Sequence, residues 1–100
     1  MWAQLIKARA KSGKEEEIRN LPQEIQGMTG GAQMPMLQVF SCSNQKDPQE
    51  FYTFVVFESE EAARENERSS QQAEIGQRMS ELFEGPPEFV DLNVEYHLSR

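Results

Sequence analysis

Hydrophobic and polar positions alternate along residues 2–10, which predicts a β-strand. The more apolar face of this strand carries Trp2, Gln4, Ile6 and Ala8. Ser12 and Glu15 then have the spacing of a capping box, which predicts a helix start. Its apolar stripe is Ile18, Leu21 and Ile25. Pro22 predicts a kink or two short helical pieces, and "GMTGGAQMP" predicts a flexible connection.

Two further strands, "MLQVFSCS" and "EFYTFVVFES", flank the turn segment "NQKDPQ" and predict a β-hairpin. The second strand is apolar on both faces. One face carries Phe51, Thr53, Val55 and Phe57, and the other carries Tyr52, Phe54 and Val56. Both faces of the sheet therefore need cover.

A second helix is predicted from the Ser59 cap to Phe83, where "GPP" stops it. Its last turns are anchored by Ile75, Met79, Leu82 and Phe83. Its earlier inward positions are small or polar, namely Ala62, Asn66, Ser69 and Ala73. These side chains either bring the helix close to the strands or leave a cavity beside them. A last strand is predicted over "EFVDLNVEYHLSR".

The predicted order is βαββαβ in one domain over residues 1–100. This is an α+β, ferredoxin-like arrangement: a four-stranded antiparallel sheet with two helices on one face. The second face would expose a large apolar patch, so we expect a homodimer with sheet facing sheet, a dimeric α+β barrel.

The net charge of −7 argues against nucleic acid and anionic membrane surfaces as partners. The one cysteine, Cys42, excludes an intrachain disulfide. The N-terminal residues lack a signal-peptide pattern, and no run is apolar enough for a membrane span, so a cytoplasmic location is expected. One histidine and one cysteine also argue against a transition-metal site.

The run "FYTFVVFESEEAARENERSS", after a strand and the helix start "SGKEEE", resembles the antibiotic biosynthesis monooxygenase (ABM) domain family. In that family an aromatic-rich strand ends in an aromatic residue, Glu and Ser or Asp, and a helical Ala and Ser follow. The matching residues are Phe57, Glu58, Ser59, Ala62 and Ser69. The resemblance implies dimeric α+β barrels with one pocket per subunit between sheet and helices.

The resemblance further implies oxidation of a small aromatic, quinol or polyketide-like molecule by O₂ without metal or flavin. Asn66 stands where many members have the first helical His, and Ser70 and Gln71 where Pro and a second His or an aromatic residue often follow. Ile6 stands where haem-degrading members have Asn. Haem breakdown is therefore not expected.

Asn66 and Gln4 are candidate catalytic residues because each amide can orient a phenol or enol oxygen. Arg78 is a third, because its charge suits an anionic intermediate. The alternatives are a surface Asn66 and a solvated Arg78 resembling Arg64 and Arg68. His97 is not expected to act as a base, because its strand parity turns it away from the helices.

Six residues are candidates for substrate binding: Trp2, Phe54, Ala62, Ser69, Ala73 and Tyr96. Trp2 alternatively belongs to the core or a dimer interface, and the choice between Tyr52 and Tyr96 for a hydroxyl at the site stays open. Two functions compete, a cofactor-free monooxygenase and a non-catalytic homodimer that binds a small hydrophobic molecule or has a structural role.

Overall fold

The computed structural model describes residues 1–28, 36–68 and 70–100. Along the chain the elements are β1 (Trp2–Ala10), α1 (Glu15–Met28), β2 (Met36–Ser43), β3 (Glu50–Phe57), α2 (Glu60–Glu67), α3 (Ser70–Leu82) and β4 (Phe83–Asn93). The predicted βαββαβ order is confirmed, with the second helix divided into α2 and α3.

The four strands form one antiparallel sheet in the order β2-β3-β1-β4. Trp2 of β1 lies opposite Phe57 of β3 on one side and Asn93 of β4 on the other. The β1–β4 register shifts between Lys7 and Arg9. The α+β, ferredoxin-like fold predicted from the sequence is confirmed.

The helices pack on the face of the sheet that carries Trp2 and Phe51. Two groups of buried residues form the core there. The first, here the α1–α3 cluster, consists of Ala10, Ile18, Leu21, Phe51, Leu82 and Phe83. The second, the Trp2 cluster, consists of Trp2, Val55, Phe57 and Ala63. Burial of these apolar side chains holds all three helices to one face.

The opposite face of the sheet carries an apolar row across all four strands. Phe40 lies opposite Phe54, Phe54 opposite Leu5, and Leu5 opposite Val90. The Phe40 side chain is 53% exposed. The core residues of the described helices pack on the other face of the sheet. The part of the face around Phe40 therefore presents apolar surface to solvent in the single chain, whereas Ala3 and Val56 on the same face are buried.

Helix α1 continues through Pro22, so the expectation of two short helical pieces is wrong. Proline removes one backbone donor from a helix interior. Ile18 and Leu21 precede Pro22, Ile25 follows it, and all three pack on the same cluster. This packing holds the turns on both sides of Pro22 in place. The predicted flexible connection lies largely outside the described residues.

Strand β4 differs from prediction at both ends. It begins at Phe83, before the strand predicted from the sequence, and contains the "GPP" segment, which was expected to stop the second helix. β4 is an edge strand, where prolines need not donate to a neighbour, and Gly85 adopts the positive φ of 67° that glycine tolerates. It ends at Asn93 rather than near residue 100, because β1 begins at Trp2 and offers almost no further partner. No helix in the described parts of the chain has the length and hydropathy to cross a membrane.

Candidate functional site

An open cavity of about 1660 Å³ lies between the helices and the helix-side face of the sheet. All four strands and all three helices contribute side chains to its lining. On β3 the lining runs from Phe51 to Phe57, which is about 20 Å at the rise of a strand. A cavity therefore lies beside the second helix, and of the predicted inward residues that the structure describes, Ala62, Asn66 and Ala73, it is Asn66 that lines the cavity.

Gln4 and Asp91 form a polar end of this cavity. Gln4 is only 8% exposed, and its Nε2 donates a hydrogen bond to Asp91 Oδ1 at 3.0 Å. Their strands are adjacent, and the register places Gln4 directly opposite Asp91. This bond, together with the Arg64 guanidinium, lowers the pKa of the Asp91 carboxyl below its ordinary value. Asp91 is therefore a weak base.

Arg64 completes the polar end from the helix side. Its Nη2 lies 2.8 Å from Asp91 Oδ2, and its guanidinium also pairs with Glu60 and Glu67. The Arg64 guanidinium carbon lies 5.2 Å from the centre of the Trp2 ring, within cation–π range. Hydrogen bonds to Asp91, Glu60 and Glu67 raise the Arg64 pKa, so this side chain stays charged.

Arg64 was expected to be a solvated helical arginine. Its side chain is 35% exposed, and it also lines the cavity, which was not expected. Its spacing from Glu60 and Glu67 indicated pairing along the helix. No sequence signal indicated Asp91, which is 27 residues away. Sequence reasoning therefore missed the residue that joins the polar end together.

Asn66 lines the cavity and is half-buried, as expected for an inward position on the second helix. Ala62 is half-buried but lies outside the lining, whereas the adjacent Ala63 is 2% exposed and lies within it. The α2 residues that line the cavity are Ala63, Arg64, Asn66 and Glu67, so the prediction holds at Asn66 and not at Ala62.

The division between α2 and α3 changes which later residues point inward. Ala73 is exposed and lies outside the lining, and Ser69 lies outside the described residues. The lining residues of α3 are Gln72, Ile75, Gly76, Met79 and Ser80. The inward residues were predicted for one continuous helix. Because a separate helix begins at Ser70, the residues after the break face different directions from those predicted.

Trp2 is 6% exposed and belongs to the core, with its ring 6.0 Å from that of Phe57. The Trp2 ring lies against the Arg64 guanidinium, and Trp2 does not line the cavity. Phe54 lies on the sheet face opposite the helices, and Tyr96 is 81% exposed beyond the end of β4. Neither lines the cavity of the single chain.

Arg78 lies outside the cavity lining and joins two helices. Its Nε donates to Glu24 of α1 at 2.7 Å, and its Nη1 donates to Glu81 of α3 at 3.0 Å. Within the described residues this guanidinium is held by carboxylates on the outer surface. In the polar end, the position expected for Arg78 is taken by Arg64.

The far end of the cavity is apolar. Its lining comes from α1, α3 and the adjoining strands, and includes Ile18, Leu21, Ile25, Phe51, Met79 and Phe83. Gly76 lines the middle, and a Cβ added there would meet no atom within 4 Å. The described residues contain no group of three His, Cys, Asp or Glu side chains placed to hold a metal ion.

Several solved structures share this fold over nearly their whole length. A Nitrosomonas europaea protein provisionally named an antibiotic biosynthesis monooxygenase matches with a TM-score of 0.79 and 12% identity, covering 96% of this chain and 100% of that one. A Deinococcus radiodurans protein with the same provisional name matches at 0.78 and 11%, covering 100% and 98%. Rv0793 from Mycobacterium tuberculosis matches at 0.77 and 16%, covering 98% of each chain.

No protein-family model matches the sequence, and no curated protein matches it. The structural matches nevertheless agree closely in shape despite identities of 16% or less. The resemblance predicted from the sequence is confirmed for the fold: this chain has the fold of the antibiotic biosynthesis monooxygenase proteins.

Proposed function

We propose that this chain is a cofactor-independent monooxygenase that oxidises a small aromatic, quinol or polyketide-like substrate in the cavity between sheet and helices. The observation that carries the proposal is the cavity itself, whose mostly apolar lining ends in the polar group Gln4, Asp91 and Arg64. Such a site buries an aromatic body and orients one oxygen of it. The shared fold supports the same class of function.

The reaction needs no external reductant if the substrate supplies the electrons. An anthrone has an acidic CH₂ group, and its deprotonated carbon can transfer an electron to O₂ and then bond to oxygen. Loss of water leaves a carbonyl, so that CH₂ and O₂ become C=O and H₂O. The substrate is oxidised, and one oxygen atom leaves as water.

Two amides and one guanidinium are the groups for orienting such a substrate. Gln4 and Asn66 line the cavity from opposite walls, β1 and α2, and each amide oxygen can accept a phenolic O–H. Arg64 holds Asp91 in position. Because Asp91 is a weak base, the acidic CH₂ group of the substrate loses its proton to solvent water in the open cavity.

The active form in this proposal is a cytoplasmic homodimer. The apolar row of Leu5, Phe40, Phe54 and Val90 supports a second copy as the cover for the free sheet face. Light scattering at micromolar concentration should give about twice the chain mass of 11.5 kDa. Phe40→Glu should give monomers and Phe89→Glu, on the helix side, should not; a monomeric wild type would contradict the dimer.

Oxygen consumption with a panel of anthrones and quinols tests the catalytic proposal. Turnover should place one atom of ¹⁸O₂ in the product, and Asn66→Ala should reduce kcat/KM by about tenfold or more. The control is Asn20→Ala, which removes an exposed amide from α1. Absence of turnover across the panel would contradict an oxygenase, and full turnover in Asn66→Ala would remove Asn66 from the mechanism.

The second candidate function is a non-catalytic dimer that binds a small hydrophobic molecule. It is favoured by the polar end, where Arg64 and Asp91 neutralise one another and the Asp91 pKa is lowered, so no strong base faces the cavity. A ligand that raises the melting temperature and is recovered unchanged after aerobic incubation would support this function over the first.

A further inference from the structure

The polarity of the cavity changes along its length. Gln4 and Asp91 lie at the end of the sheet where β1 begins, together with Arg64 of α2. Ile18 and Phe83 line the other end, where β1 finishes. The charged residues of the lining, Arg64, Glu67 and Asp91, therefore lie on α2 and toward the end of the sheet where β1 begins. Elsewhere the lining is uncharged, and its polar residues, such as Gln23, Thr53 and Ser80, lie among apolar ones.

The cavity is long. Its lining on β3 runs from Phe51 to Phe57, which are six residues apart and span about 20 Å. Phe89 and Val39 line the space between the ends while 55% and 47% exposed, so large apolar surfaces remain uncovered by the helices. A compact two-ring or three-ring aromatic at Gln4 leaves most of this surface in water.

Gly76 lies on the wall of this cavity. It lies inside α3, where glycine is less favourable than alanine, and it does not adopt a positive φ that would require glycine. The space above it is empty to 4 Å. Any larger side chain at this position would extend into the cavity between the polar and apolar ends.

We infer that the cavity takes an amphipathic ligand, with a neutral hydroxyl-bearing ring at the Gln4–Arg64 end and an aliphatic tail that runs past Gly76 to α1. The carboxylates of Asp91 and Glu67 outnumber Arg64 in the lining, and the whole chain carries −7, so an anionic head is disfavoured. This inference rests on the proposed function in one respect, which is that the ligand occupies the same cavity.

Binding of 4-alkylphenols from propyl to decyl tests the tail, because these probes lack the acidic CH₂ of an anthrone and report binding without turnover. Affinity should rise by up to about fourfold per added methylene and then level off when the path is full. A constant affinity from propyl onward would overturn the inference. If affinity rises with chain length in this way but anthrones are not oxidised, only the oxygenase proposal is contradicted.

Gly76→Phe should make affinity level off at a shorter chain, while Gly27→Phe, at an exposed α1 position outside the lining, should keep the wild-type series. An unchanged series in a folded Gly76→Phe protein would overturn the proposed path. The head group is tested with 4-octylbenzoate, which should bind at least tenfold more weakly than 4-octylphenol. Equal or tighter binding of the benzoate would overturn the inference that the head group is neutral.

Photolabelling of the unmodified protein gives a test that does not depend on a folded variant. A 4-alkylphenol with a diazirine at the end of its tail should label residues of α1 or α3, such as Ile25 or Met79. Labelling confined to the open sheet face around Phe40 would overturn the inference.

Discussion

Arg64 and Asp91 join the second helical segment to the edge of the sheet, with Nη2 of one 2.8 Å from Oδ2 of the other. Helix α2 has only eight residues, which is too short to be stable by itself in water. Asp91 is in turn held by the buried Gln4, and Arg64 rests on the Trp2 ring. The Arg64–Asp91 pair thus joins α2 to β4, and the contacts of its two members with Gln4 and Trp2 add β1 at the polar end of the cavity.

Replacing Arg64 by Met should lower the melting temperature by a few degrees, because the pairs with Asp91, Glu60 and Glu67 and the contact with Trp2 are lost together. Thermal unfolding followed by circular dichroism measures the change. Arg68→Met is the matched control, since Arg68 is exposed and its Nε donates only to the Arg64 carbonyl oxygen among the described residues. Equal effects of the two variants would contradict the connecting role of Arg64.

Stability should fall as the pH drops below about 4, because the pKa values of Asp91, Asp47 and Glu24 are lowered in the folded chain. A lowered folded-state pKa contributes stability above the unfolded value, and that contribution is lost as these carboxylates are protonated. Urea midpoints measured from about pH 7 down to about pH 3 test this.

Asp91→Asn should make that loss of stability shallower, because the variant no longer has this carboxylate to protonate. Glu95→Gln is the control, since Glu95 is exposed and makes no ion pair among the described residues. A pH profile for Asp91→Asn as steep as that of the wild type would show that Asp91 does not contribute to it.

Gly76→Ala should stabilise the fold by about 0.5–1 kcal/mol and raise the melting temperature by about 2–8 °C. The added methyl group meets no atom within 4 Å, and alanine loses less conformational entropy than glycine on entering a helix. Gly85→Ala should instead destabilise the fold by about 1–2 kcal/mol, because Gly85 has a φ of 67°. Destabilisation by Gly76→Ala would show that the space above Gly76 is not open.

Leu82→Ala should destabilise the fold by about 2–5 kcal/mol, because Leu82 is fully buried where α3 meets the α1–α3 cluster. Denaturant unfolding gives the free energy directly. Leu98→Ala, at a residue that is 59% exposed, should change it by no more than about 0.5 kcal/mol. A similar cost at both positions would contradict the assignment of the core.

Local patterns predicted most of the fold because they depend on neighbouring residues. The first strand, the cap at Ser59 and the hairpin turn before Phe51 all occur as expected, although burial does not alternate along β1. The errors lie where tertiary packing overrides local preference. Pro22 stays within a helix because packing on both sides holds it, and β4 stops at Asn93 because its partner strand ends.

The sequence by itself determined the element order and the sheet with helices on one face, because periodicity along the chain carries this information. It left open whether Asn66 faces the cavity, which the structure shows it does. Only the tertiary structure decided the site. Arg64 and Asp91 meet through the packing of α2 on the sheet, and Arg78 turns outward to Glu24. A side-chain direction near a helix break depends on a rotation of the helix about its axis, and contacts between distant residues set that rotation.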